Sequence, residues 1–247
     1  MIFLNTIFVG IFALPLALNT SFFQVSDSRE TQHYTAPQGS GHIREALNFQ
    51  LPDRGRPGDR SSSAGGRGNC TRNTQITALV PTQNWGYTLS AHPKFWFYLT
   101  ASKDSSWSAE FELQDPRKNR LVEFSLTVNP GLIAVTLPED IYLEETETNY
   151  YWRLSIICEP SDRTGDLVVR GEVLKRELDQ DLQAQIRDKS GRDLALVYAA
   201  NSICFDLLTL VMKFREEQPE NPIYREDWQE LLGAIDLPKS IIENGEF

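Results

Sequence analysis

Residues 107–114 read WSAEFELQ, in which Trp107, Ala109, Phe111 and Leu113 alternate with Ser108, Glu110, Glu112 and Gln114. Successive side chains of an extended chain point to opposite faces, so this alternation predicts a strand with one apolar and one wet face, as in antiparallel sheets. The next run repeats it with Val122, Phe124, Leu126 and Val128, and Asn129-Pro130-Gly131 then supplies a turn. Before them lie ITALVP, WGYTLS and KFWFYL, and after them LIAVTL, NYYWRLSII and DLVVRGEVL, all short, β-rich and punctuated by Pro, Gly, Asn or Asp. About eight such strands over roughly 100 residues predict an antiparallel β-sandwich spanning residues 70–176. An immunoglobulin relation is not supported, because the Cys…Trp…Cys order is missing.

After Lys175-Arg176 the period becomes helical. Leu178, Leu182 and Ile186 are four apart, DLALVYAANSICFDLLTLVMKF continues apolar, and Trp228, Leu231, Leu232 and Ile235 mark a last helix. Leu194, Ala195, Tyr198, Leu207, Val211 and Pro219 fall near tetratricopeptide spacing, but one repeat cannot bury its own apolar face. The helices of residues 177–247 must therefore pack on the sandwich or on a partner; packing on the sandwich is expected, giving an α+β fold: a sandwich followed by a C-terminal helical region.

Of the 247 residues, 40% are apolar, enough for a core, and the formal net charge is −10. A general nucleic-acid binder needs a basic surface to displace counterions from phosphates, so this balance argues against one. The N-terminal MIFLNTIFVGIFALPLALNTSFF has no charged side chain before Asp27. Residues 1–24 are read as a signal peptide or membrane anchor, interrupted by Pro15. Residues 25–69, rich in Ser, Gly, Pro and Arg with almost no apolar periodicity, are read as a flexible tether. Its stretch LPDRGRPGDRSSSAGGRGNC has neither the Lys-Ser/Thr of a phosphate loop nor aromatics for stacking on bases.

Three cysteines suit an oxidising compartment with one pair and one left over. Cys158 falls on the apolar face of the alternating Tyr150, Trp152, Leu154, Ile156 row, and Cys204 sits in a helical pattern as a small buried residue. The expected disulfide is Cys70–Cys158; the alternative is three buried thiols.

No catalytic residue, metal set or cofactor site is legible. The histidines are His33, His42 and His92, the first two in the tether and the third at a turn before Pro93. Acidic runs at Glu144, Glu145 and Glu147 and at Glu216, Glu217 and Glu220 read as solvated faces. In KFWFYL, Phe95 and Phe97 point one way and Trp96 and Tyr98 the other, so this strand has two greasy sides. Trp85, Tyr87, Trp96, Tyr98 and Tyr151 are candidate ligand-binding aromatics on an outer platform; the competing expectation is that the helices cover that face.

Several short patterns recur together along the chain. They are Arg54-Gly55-Arg56-Pro57-Gly58 with Gly65-Gly66-Arg67-Gly68-x-Cys70, then Leu79-Val80-Pro81, Thr88-Leu89-Ser90 and Pro93-x-Phe95-Trp96-Phe97-Tyr98-Leu99. Gly131 with Leu137-Pro138, the Tyr151-Trp152 to Cys158-Glu159-Pro160 strand, and Asp206 with Trp228-x-x-Leu231-Leu232 complete the set, which together resembles the cyanobacterial domain of unknown function 928 family. Ser202-Ile203-Cys204-Phe205-Asp206 departs from it, standing where the family leads one to expect Gly-Ile-Trp-Tyr-Asp. The resemblance implies export from a cyanobacterium and supplies no activity or catalytic residue. It supports Cys204 as a core thiol.

The reading from sequence is thus a secreted or periplasmic chain, membrane-associated only through an uncleaved N-terminal segment, acting as a non-enzymatic binding or scaffolding module of the cell envelope. Its expected partner is an envelope protein or a cell-wall polysaccharide. The alternatives are a carbohydrate-binding module using the outer aromatics, and an enzyme, which a cavity holding His92 and a perturbed carboxylate would favour.

Overall fold

The alternation at residues 107–114 is realised as an internal strand of a β-sheet in the computed structural model, which describes residues 45–49, 62–64, 70, 73–81, 83–102 and 106–234. All of these belong to one unit, residues 43–247. The N-terminal segment 1–24, most of the tether, His33, His42 and Ile235 lie outside the described residues.

Each of the eight β-rich runs forms a strand, and a short one precedes them. In chain order these are β1 (Ser62–Ala64), β2 (Gln75–Ala78), β3 (Trp85–Thr88), β4 (Lys94–Thr100), β5 (Trp107–Gln114), β6 (Arg120–Val128), β7 (Gly131–Thr136), β8 (Asn149–Ile156) and β9 (Leu167–Lys175). They form two sheets, ordered β1-β2-β4-β7 and β3-β9-β8-β5-β6. All neighbours are antiparallel except β3 and β9, which run parallel. Parallel neighbours need a long crossover, and here the chain traverses both sheets between the two strands. At the tight β6–β7 link Gly131 has φ +108°, a left-handed conformation that a side chain would strain.

The inward faces meet in an aromatic core. Phe95 lies 5.0 Å from Phe111 ring to ring, and Phe97 lies edge-on to Trp152 at 5.6 Å. Phe95, Phe97, Phe111 and Trp152 are each essentially shielded from water. Burying such a side chain contributes about 1.5–3 kcal/mol. Cys70 and Cys158 form the expected disulfide, with Cα atoms 5.1 Å apart across a separation of 88 residues. A loop of this length corresponds to at most about 4–5 kcal/mol in the chain-entropy account. Cys204 is a free, buried thiol.

Four helices follow: α1 (Gln180–Ile186), α2 (Gly191–Ala200), α3 (Cys204–Glu217) and α4 (Pro222–Ala234). Asp179 caps α1 by accepting from Leu182 N at 2.8 Å. A second apolar cluster joins Trp96 of β4 to Ala195 and Ala199 of α2, Leu207 and Val211 of α3, and Trp228 and Leu231 of α4. The helices thus cover the outer face of β4, as its two greasy sides require. Arg192 of α2 makes a bidentate pair with the fully buried Asp227 of α4, at 2.9 and 3.0 Å.

Two places in the stretch expected to be tether are ordered. Ser62–Ala64 pairs with β2. Leu47 is buried, its N–H donates to Glu230 Oε2 at 2.9 Å, and Arg192 donates to the Glu45 carbonyl. The tether reading therefore fails at these positions, where the backbone finds partners that composition cannot reveal.

Candidate functional site

A cavity of about 390 Å³ opens where the β3–β4 loop and the start of β4 face α2 and α3. Its walls are mostly apolar, with Trp96, Leu194, Tyr198, Phe205, Leu210 and Met212, and its polar groups include Thr88, Ser90, His92, Lys94, Asp206, Lys213 and Glu216.

The inner wall rests on α3. Phe205 reaches into the sandwich, edge-on to Phe95 at 5.6 Å, which fixes the start of the helix. Behind it Cys204 fills a place no side chain of β3 can use: a Cβ on Gly86 would lie 1.9 Å from Cys204 Sγ. Burial, reinforced by the charge of Asp206, pushes the Cys204 thiol up, so it stays protonated and acts as a small apolar filler. Ser202, just before the helix, holds φ +60°, a left-handed position that suits glycine.

Asp206, in the first turn of α3, ties the loop to the helix. Thr88 donates to its Oδ2 at 2.7 Å and Leu89 N–H at 3.1 Å. Ser90 N–H donates to Thr88 Oγ1 at 3.1 Å, and His92 N–H to Ser90 Oγ at 3.0 Å, so a chain of bonds runs from the loop tip to the carboxylate. Burial nevertheless outweighs these donors and holds the Asp206 carboxyl above the usual aspartate range. Burial and the same carboxylate also raise the Tyr198 phenol. Trp96 Nε1 donates to Thr209 Oγ1 at 3.1 Å, and the Thr209 hydroxyl donates to the Phe205 carbonyl at 2.9 Å, which fixes the indole against α3. His92 and Lys94 are exposed at the mouth. Among the described residues, no cluster of His, Cys, Asp or Glu could hold a metal ion.

The five aromatics expected to share a platform are divided. Trp96 is buried under the helices, and Tyr98 is half-buried in the same cluster. Trp85 sits opposite Glu172 across the β3–β9 pair, and Glu172 opposite Tyr151 across β9–β8, so Trp85 and Tyr151 share a face of the other sheet. Trp85 is buried, donates to Gln83 Oε1 at 3.0 Å and meets Tyr87 edge-on at 5.2 Å. Tyr87 borders a separate polar groove with Arg176, Glu147 and Glu177, and Tyr151 lies under the Lys118 ammonium.

That second face is charged. Glu112 pairs with Arg153 at 2.6 Å, and Glu110 with Arg163 at 2.7 Å. Burial acts against the Glu112 carboxylate, but the Gln114 hydrogen bond and the Arg153 and Arg120 charges hold it below the usual range. The Arg163 hydrogen bond does the same for Glu110. The sequence named Trp96 as an outer-platform aromatic and His92 as a turn histidine, and did not mark Asp206 as a loop anchor; Thr88-Leu89-Ser90 and Asp206 together were the available signal.

A family model described as Domain of Unknown Function (DUF928) matches residues 62–244. No curated protein matches the chain. Among solved structures, part of a Parabacteroides merdae beta-glucuronidase with glycerol in its active site is similar, at 13% identity over 47% of this chain and 12% of that one. Its TM-score of 0.27 is too low to carry an argument.

Proposed function

The chain belongs to the family described as Domain of Unknown Function (DUF928), and on that footing we propose that it is an exported, non-enzymatic binding module of a cyanobacterial envelope whose ligand enters the cleft between β4 and α3. One observation carries this reading. The cleft combines an apolar wall of Trp96, Phe205 and Leu210 with hydroxyls and a mouth bearing His92, Lys94 and Lys213. Small-molecule sites have this composition, a greasy body with a few placed polar groups. Lys94 and Lys213 at the mouth, offset in part by Glu216 and by the Lys213–Glu217 pair at 3.8 Å, suit an amphipathic ligand with an anionic or hydrogen-bonding head. Export is supported by the uncharged apolar N-terminus and by the buried disulfide, which suits an oxidising compartment.

The cavity also holds His92 and a carboxylate raised by burial, and this favours the enzyme as the second reading. Against it, the Asp206 carboxylate is engaged by Thr88 and Leu89 as a structural anchor.

Titration of the full chain with anilinonaphthalene sulfonate, competed by dodecanoate, tests the reading. Leu210→Trp, which fills the cleft, is expected to abolish saturable binding while leaving the melting temperature within a few degrees. Undiminished binding in that variant would overturn it. Turnover of a bound ester, lost in Asp206→Asn, would establish the enzyme instead.

A further inference from the structure

We infer that β6 is a self-association edge, along which a second copy of this chain adds antiparallel to extend the five-stranded sheet. β6 is the last strand of that sheet, and no other described strand pairs with it on its outer side. An open edge exposes unpaired N–H and C=O groups. Proteins blunt such edges with proline, inward-pointing charge, shortness or a bulge. β6 uses one of these devices only at its beginning, where Leu121 is the extra residue between the pairs Gln114–Arg120 and Leu113–Val122.

From there residues 122–128 read VEFSLTV: seven residues, no proline or glycine and one charge. That composition is the signature of a segment that pairs with its own kind. The inward row Val122, Phe124 and Leu126 remains half-exposed, although Phe124 meets Phe111 at 5.6 Å. The core is thus incompletely closed along this side.

The occupant is argued from the pattern itself. Pairing two copies of β6 about a two-fold axis at Phe124 sets Val122 against Leu126, Phe124 against Phe124, and Glu123 against Ser125. Val122, Phe124 and Leu126 then each meet an apolar partner, and no like charges face each other. A register centred on Glu123 would oppose two carboxylates, which disfavours it. Glu123 is held at 3.1 Å by Arg120 of its own strand, so its charge is already partly compensated.

The test is sedimentation equilibrium of the full chain over a concentration series, with hydrogen exchange read at the β6 amides. Concentration-dependent dimers that protect residues 122–128 are expected. Leu126→Lys, an inward charge on the edge strand, is expected to give monomers with an unchanged circular dichroism spectrum. On the exposed face, Ser125→Glu places a carboxylate opposite Glu123 of the second copy and is expected to weaken the dimer about tenfold. Ser125→Lys, which sets an ammonium there, is expected to leave the dimer at least as tight as the wild type. A monomeric wild type, a dimer undiminished in Leu126→Lys, or equal effects of Ser125→Glu and Ser125→Lys would overturn the proposal. The first two results would leave the cleft reading standing, because no cleft residue lies on β6.

Discussion

Asp206 accepts from Thr88 and Leu89, yet burial keeps its carboxyl above the usual aspartate range. The folded chain therefore binds that proton more tightly than the unfolded one. The stability it contributes is fully present below the ordinary aspartate value and is lost as pH rises through the higher folded value. Glu110 and Glu112 run the other way: their carboxyls are lowered, so their contribution is present above the ordinary value and lost as pH falls through the lowered one. Subtracting the unfolding free energy of Asp206→Asn from that of the wild type isolates the first slope. The difference is expected to decline with rising pH and then level off; a flat difference would remove Asp206 from the account. Ser202 shows what was legible here. The resemblance led one to expect glycine at that position, and φ +60° supplies the physical reason. Why Cys204 is small was not legible, since it depends on Gly86 of β3 being brought against α3 by the fold.

β4 was legible as an element because both of its faces are apolar, and a strand of that kind must be covered twice. The pairing of β3 with β9 was not, since alternation reports which residues share a face and is silent on which sheet a strand joins. That gap separates Trp85 and Tyr151 from Trp96 and Tyr98, although all four are aromatic and near one another in the strand pattern. Likewise the helical period gave α2, α3 and α4 but not the Arg192–Asp227 clamp between them. Asp227 is wholly buried, so removing Arg192 takes away the charge that offsets its carboxylate there. Arg192→Leu is expected to cost about 3–5 kcal/mol in denaturant unfolding. Adding Asp227→Leu is expected to restore most of that loss, because the pair is replaced by apolar volume. If the double variant is as unstable as the single one, apolar volume does not replace what the pair contributes.

The sandwich and helices share one logic across the whole chain. The β4 strand cannot face water on its outer side, the helices cannot stand without an apolar surface, and the cleft forms where their contact is incomplete. Composition made the division into strands and helices legible, and the position of the cleft was not, because it arises from two elements far apart in sequence. Its mouth sets Lys94 and Lys213 beside Glu216, in a chain whose helical part, residues 177–247, carries seven basic against fifteen acidic groups. The central claim is that this cleft is where a ligand binds. Amide chemical-shift mapping of the full chain, titrated with dodecanoate, tests it most directly. Saturable shifts confined to the Thr88–Trp96, Leu194–Tyr198 and Phe205–Glu216 segments are the predicted result. Shifts centred instead on Trp85, Tyr87 and Tyr151, or no saturable shifts at all, would contradict it.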